Sequence, residues 1–442
     1  MQKTDNHTFL TQDNVNKVII NLAVPSIVSM LVTSIYNIVD TYFVGQLNTQ
    51  ATAAVGIVLP IMSIIQATGF FFGQGSGTYI SRQLGAKETT SAQKMASTAF
   101  CAALCFGFLI TILGLIFLNP LSIALGSTPT ILPYTKDYMG VILLGAPFMT
   151  CSMVLNNQMR FQGNAKNSMY GMMAGAALNV ILVPIFMFAF NLGVLGAALG
   201  TVISQVFGFI VLFIMSYKGE NLRIKIKYFS LKKTYFFEVI KGGTPSLTRQ
   251  GLASIATLLL NVAAGIYGDA AIAGMSIVTR ISFVVFAVIL GIGQGFQPFC
   301  GFNYGAKLYD RVKQGYFFSI KISIIFLLFC CVLGFYFAPS VIKILRDDID
   351  VIAVGTLAFR WQLITYPLSA VVTMTNMMLQ TSGKSISANI LAAARNGIFF
   401  IPLILILPYL FGLFGVEICQ AVADIFSFIL AVPLAYKYFK IH

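Results

Sequence analysis

The chain carries apolar stretches of about 20 residues or more along its whole length, and a stretch of that size crosses the hydrocarbon core of a bilayer as one helix. Hydrophobic residues make up 57% of the 442 residues and charged residues only 10%. A water-soluble fold with one core would not tolerate that balance on its surface. The stretches begin near Val18, Ala53, Ala96, Tyr138, Met169, Leu195, Pro245, Ala270, Phe317, Val351, Ile386 and Gly415. We therefore predict an all-α integral membrane protein with about twelve transmembrane helices.

The positive charge of the chain, formally +14, lies mostly in short loops between the apolar stretches. The longest loop, residues 217–243, carries seven Lys and Arg residues, whereas the connections at 46–52, 191–194 and 408–414 carry none. Cytoplasmic loops of membrane proteins are enriched in Lys and Arg, so we expect a multi-pass protein with both termini in the cytoplasm. A nucleic-acid module would instead gather its basic residues on one face of a polar domain, and we expect no nucleic-acid partner.

Motifs of the common catalytic classes are missing from the sequence. There is no GxxxxGK[ST] loop for ATP, no HExxH and no GxSxG, and the two histidines, His7 and His442, lie in the tails. The seven cysteines fall in apolar stretches without the CxxC spacing of a metal site. We therefore expect neither an enzyme nor a protein with a cofactor or resident metal, and an ion gradient remains as the source of energy.

The two halves of the chain repeat at an offset of 220 residues. This shift superimposes Gly73-Gln74-Gly75 on Gly293-Gln294-Gly295 and Gly85-Ala86-Lys87 on Gly305-Ala306-Lys307. It also aligns Pro25 with Pro245, Pro147 with Pro367, Asn156 with Asn376 and Gly163 with Gly383. Identities at one offset indicate a duplication, and an even number of spans in each half makes the halves parallel. We predict an N-lobe at residues 1–217, a basic cytoplasmic linker at 218–243 and a C-lobe at 244–442.

Four segments carry a family resemblance: YNIVDTYFVG (36–45), GQGSGTYISRQLGAK (73–87), RISFVVFAVILGIGQGFQPFCGFNYGAK (280–307) and RNGIFFIPLILILP (395–408). In order and content they resemble the MATE family of multidrug and toxic compound extrusion transporters, and most of all its bacterial MepA-like branch. The resemblance implies two six-helix lobes in the plasma membrane of a bacterium. It also implies efflux of lipophilic, mostly cationic drugs in exchange for protons or sodium ions.

Asp40 is the first candidate for the ion site, because it lies in the apolar stretch from Val18 to Val44. A carboxylate inside a bilayer costs several kcal/mol unless it is paired or protonated. Its counterpart at the 220 offset is Leu260, so the second half lacks this group. Asp40 would take up a proton or coordinate sodium; the structural alternative is a hydrogen bond to a helix end or to neighbouring hydroxyls.

Asn179 and Thr201 are the partners that the resemblance implies, since the first-lobe ion site of the family draws on an amide and a hydroxyl. The family commonly has Asp four residues after this Asn, but the chain has Val183. A sodium site with two carboxylates is therefore incomplete, and we expect H+ as the coupling ion at Asp40, with Na+ as the alternative. Asn179 could equally join two helices, and Thr201 could bond back to its own helix.

A drug cavity is predicted from amphipathic and flexible side chains, namely Tyr36, Asn37, Asn156 and Met153. In the second half, Asp424 could bind ions, attract a cationic drug or pair with an arginine. Arg280 and Arg395 lie deep in their spans and should have partners, whereas Arg249 and Arg360 lie nearer to span ends, where their side chains can reach the interface.

The functional prediction is a secondary active multidrug efflux antiporter, working as a monomer among membrane lipids on small lipophilic cations. The alternative is a lipid-linked oligosaccharide flippase of the same superfamily. A flippase would be expected to have a more strongly cationic central cavity, because it must hold a pyrophosphate group.

Overall fold

The computed structural model describes residues 6–218 and 221–441, apart from the side chains of residues 35–41 and 49. The helices of the first half are α1 Asn6–Gln12, α2 Val15–Gly45, α3 Thr49–Gly85, α4 Thr89–Ile116, α5 Leu118–Ala124, α6 Leu132–Phe161, α7 Ala165–Pro184 and α8 Gly193–Ser216. Those of the second half are α9 Lys233–Gly265, α10 Asp269–Gly305, α11 Tyr309–Leu345, α12 Ile349–Thr381, α13 Ser385–Ala393, α14 Phe400–Phe411 and α15 Leu413–Ile441.

Within the described residues, 11 helical segments are long and apolar enough to cross a membrane. One of them joins α13 and α14 through a π-helical turn at Ala394–Ile398, and another continues α7 through the π turn Ile185–Ala189. Helix α9 is as long as its neighbours but is not among the 11, because Arg249, Gln250 and Asn261 lower its hydropathy. A helix satisfies its backbone polar groups internally, which a segment in lipid requires.

The two halves meet along α2 and α3 of the first half and α9 and α10 of the second. Close approach is provided by the glycines of the duplicated GQG motifs: a Cβ at Gly75 would overlap the carbonyl oxygen of Val239, and one at Gly295 would lie 2.5 Å from the Cα of Ala23. Gly85 and Gly305 likewise lie against the backbones of Phe302 and Arg82. We call this set of contacts the glycine seam. It explains why the same glycines occur in both halves.

The glycine seam lies toward the side of the membrane that carries the basic loops, here called the basic side. Polar contacts reinforce it there, since Arg82 forms an ion pair with Glu238 at 2.7 Å and donates to the carbonyl oxygen of Thr381 at 2.8 Å. Arg160 donates across the seam to Gln294 Oε1 at 2.5 Å. The halves are therefore closed against each other on the basic side.

The basic loop after α8 packs on the first half rather than extending freely. The amide of Leu222 donates to Gln162 Oε1 at 2.6 Å, and the amide of Ser230 donates to Thr98 Oγ1 at 3.1 Å. Helix α9 begins at Lys233, inside the segment 218–243 that the sequence predicted as a linker. The added turns place Arg249 at residue 17 of the 33 residues of α9, midway along the helix.

Candidate functional site

A cavity of about 760 Å³, here called the first cavity, lies between the two halves. Most of its wall comes from α2, α3, α6, α7 and α8, and the second half contributes only residues of α10. The apolar part of the wall includes Leu59, Met62, Met149, Met153 and Phe283. A cavity of this size, with apolar walls and a few polar groups, is typical of a site for a drug-sized molecule.

Asn179 and Thr201, two of the predicted ion-site residues, meet in the wall of the first cavity. Both side chains are buried, and Asn179 Nδ2 donates to Thr201 Oγ1 at 3.3 Å. The contact forms because α7 and α8 approach closely at two glycines, where a Cβ on Gly175 would lie 3.3 Å from the Cα of Gly208. This bond joins two helices and also holds an amide and a hydroxyl at the edge of a cavity.

Val183 occupies the position at which the family commonly has a carboxylate. Its side chain is 1% exposed, and a Cβ on Gly200 would lie 2.9 Å from the Cα of Val183. The position is therefore filled by apolar packing between α7 and α8 and does not line the first cavity. Nothing at this position replaces the missing ligand.

Tyr36, Asn37 and Asp40 lie within α2, but their side chains are outside the described residues. The residues that flank this segment, Thr33 and Ser34 before it and Tyr42 after it, line the first cavity.

Of the other cavity candidates, Met153 lines the first cavity and Asn156 does not. Asn156 Nδ2 donates to the carbonyl oxygen of Ser168 at 3.3 Å, and the hydroxyl of Ser168 donates back to the carbonyl oxygen of Asn156 at 3.1 Å. Its counterpart Asn376 donates to the carbonyl oxygen of Ala388 at 2.7 Å. The same interval of 12 residues is bridged in both halves. Asn156 thus fixes the connection between α6 and α7.

Asp424 pairs with Arg395, which is one of the roles that the sequence left open for it. The two residues are joined by Arg395 Nε to Asp424 Oδ1 at 2.7 Å and Nη2 to Oδ2 at 3.3 Å, and Gln420 donates to Oδ1 at 3.0 Å. The guanidinium also lies 3.9 Å from the ring centre of Phe286. Arg395 therefore has the partner that its depth required.

Arg280 differs from Arg395. Its side chain is exposed in the wall of the first cavity, and no carboxylate among the described residues lies within ion-pair distance of it. The partner that the sequence led us to expect for Arg280 is thus absent from the described part of the chain. Arg280 supplies a positive charge to the second-half wall of the first cavity.

A second cavity of about 270 Å³ lies inside the second half and was not predicted from the sequence. Arg249 and Arg395 both line it. Its wall residues come from helices that lie far apart in the sequence, so no single stretch of sequence indicates it. In the described residues, no group of three or more His, Cys, Asp or Glu side chains could hold a metal ion.

Comparison with known proteins agrees with this arrangement of helices. The sequence model of the MatE family matches residues 25–185 and 245–406. The chain belongs to the MatE family. The two matched stretches begin 220 residues apart, which is the offset of the duplicated motifs.

Relatives and solved structures cover almost the whole chain. The "Multidrug export protein MepA" of Staphylococcus aureus (strain MSSA476) is 30% identical over 97% of this chain and 95% of its own length. The protein of the same name from Staphylococcus haemolyticus (strain JCSC1435) is 29% identical over the same shares. A structure described as the "outward-facing conformation of a multidrug resistance MATE family transporter of the MOP superfamily" is similar with a TM-score of 0.92. It is 26% identical and covers 100% of this chain and 99% of its own. The predicted family and fold are confirmed.

Proposed function

We propose that this protein is a multidrug efflux antiporter that exports lipophilic, mostly cationic small molecules in exchange for protons, with sodium as the alternative ion. The observation that carries the proposal is the first cavity, which is large, mainly apolar and placed between two repeated halves. Relatives named as multidrug export proteins support the export of drugs. Flexible Met side chains in the wall suit a site that must adapt to different compounds.

The coupling cation would bind around Asp40, Asn179 and Thr201. Position 40 follows Thr33 by seven residues, about two helical turns, so the two positions share a face of α2. Thr33, Asn179 and Thr201 all line the first cavity. Val183 stands where a second carboxylate would help to complete a sodium site. A proton needs only one carboxyl group, whereas a sodium ion needs several oxygen ligands.

Transport would alternate between the closed basic side seen here and a state in which that side is open. The N-lobe (1–217) and the C-lobe (244–442) would move against each other, with both termini in the cytoplasm and the protein acting as a monomer. Coupling requires that the cation and the drug have different affinities for the two states. Binding of the proton would then favour release of the drug on the side opposite the basic loops.

Asp40→Asn tests the coupling. We expect uptake of ethidium into inside-out membrane vesicles to be driven by an imposed proton gradient in the wild type and to fall to background in the variant, because an amide cannot take up the proton. Asp347→Asn is the matched control, since Asp347 is an exposed residue paired with Lys343 at 3.8 Å. It should transport as the wild type does.

Three other outcomes would contradict parts of this proposal. Proton-driven uptake that survives Asp40→Asn would remove Asp40 from the coupling site. Uptake driven only by a sodium gradient would mean that Asn179, Thr201 and further oxygens complete a metal site. No uptake under either gradient, together with movement of a lipid-linked oligosaccharide in reconstituted vesicles, would favour the flippase.

A further inference from the structure

The second cavity opens beside the first, and the two share Thr279 and Phe283 of α10 as wall residues. The two cavities are therefore neighbours, and a ligand that occupied both would have to pass Thr279 and Phe283. With a volume of about 270 Å³, the second cavity has room for one substituent of a drug-sized compound rather than for its whole body.

The charge in the wall of the second cavity is positive. Arg395 is neutralised by Asp424, whereas Arg249 donates only to the neutral amide of Asn376, from Nη1 to Oδ1 at 3.2 Å. No Asp or Glu of the described residues lines this cavity. A guanidinium has five N–H donors, and the bond to Asn376 is the one hydrogen bond that the described residues offer Arg249.

An unpaired guanidinium in the middle of a membrane helix is costly unless an anion pairs with it. Arg249 lies midway along α9 and lines the second cavity. Its fork of donors matches the two oxygens of a carboxylate. The nearby ring of Phe286 and the apolar side chain of Leu290 would contact the part of the ligand that bears the carboxylate.

We propose that Arg249 binds the carboxylate group of a zwitterionic drug whose apolar and cationic body occupies the first cavity. This inference rests on the proposed export function and adds to it a residue of the second half that would bind one acidic group of the transported compound. The carboxylate belongs to the transported compound, and an oxyanion of a lipid headgroup is the competing source of the same chemistry.

The test compares norfloxacin, which carries a carboxylate, with its ethyl ester, which does not, in sealed proteoliposomes of neutral phosphatidylcholine under an imposed proton gradient. We expect Arg249→Gln to lower the ratio of norfloxacin transport to ester transport about tenfold or more, the size of one strong charge-assisted contact. Arg249→Lys should recover part of the ratio because it keeps the charge. Arg360→Gln is the matched control, since Arg360 lies outside both cavities, and it should leave the ratio unchanged.

The binding of each compound, measured by its own fluorescence with the purified wild type and Arg249→Gln, separates the two levels of the proposal. If no compound is transported but norfloxacin binds more tightly than its ester only when Arg249 is present, the export function fails and the carboxylate site stands. Equal losses for norfloxacin and the ester, or an unchanged ratio, would overturn the site. So would a ratio difference that is abolished by adding anionic phosphatidylglycerol, because Arg249 would then hold a lipid phosphate.

Discussion

Asp424→Asn is expected to lower the thermal stability of the purified protein strongly, by about 3 kcal/mol, which is the low end of the cost of breaking a buried ion pair. Asparagine keeps the shape of the side chain, so the change isolates the charge. Arg395 would keep a full positive charge with no carboxylate beside it, and only its face toward the second cavity would remain open to water. A thiol-reactive dye can follow the unfolding, because Cys151, Cys300 and Cys419 are buried in the folded protein.

Two further variants define what this result means. Arg395→Met combined with Asp424→Leu should recover much of the lost stability, because replacing a whole buried ion pair with apolar residues is often neutral or favourable. Asp347→Asn should shift the unfolding midpoint little, since its pair with Lys343 is exposed. If the double variant were as unstable as Asp424→Asn, the stability would come from the shape of this region and not from the pairing of charges.

Helices and their order could be predicted from the sequence because the bilayer leaves few alternatives. A long apolar stretch in lipid must form a helix, and duplicated motifs mark equivalent places in the two halves. Asn179 and Thr201 were named from the family resemblance, and the structure brings them together in one hydrogen bond; their role in an ion site stays a prediction. The absence of a carboxylate at position 183 could also be predicted, because it depends only on which residue stands at that one position of the sequence.

The residues that pair with each buried arginine, and the place of each arginine along its helix, could not be predicted in the same way. Arg280 and Arg395 have similar sequence surroundings, yet only Arg395 has a carboxylate partner among the described residues, because helix packing brings Asp424 to it across 29 positions of the chain. Arg249 was placed near a helix end because the basic residues before it are typical of a loop. In the structure α9 begins at Lys233, so Arg249 lies midway along the helix and lines the second cavity.

The duplicated GQG motif shows a different limit. Its repetition indicated a duplication, but the sequence did not indicate what the glycines contact. Gly75 and Gly295 each lie in the glycine seam, where they let α3 meet α9 and α10 meet α2. The motif therefore encodes the surface along which the halves close.

Gly75→Val is expected to hold the basic side open. The new side chain would overlap the backbone of Val239, which cannot move aside as a flexible side chain can. Overpacking typically costs about 1–3 kcal/mol, so the closed state should lose roughly fivefold to 150-fold in population relative to the open one. Spin labels on the basic side, introduced at Glu88 and Asp310 after removal of the native cysteines, should show longer distances in the variant than in the wild type.

Gly251→Val provides the matched control for this measurement. It introduces the same side chain on α9, but a Cβ at Gly251 has no neighbour within 4 Å, so the seam should close as in the wild type. The distances between the labels do not depend on which compound is transported, and they test the seam separately from the export function. If Gly75→Val and Gly251→Val gave the same distances, the backbone contact at Gly75 would not control closure. If only Gly75→Val opens the basic side, the glycines of the duplicated motif are kept small because the two halves must meet backbone to backbone in every cycle.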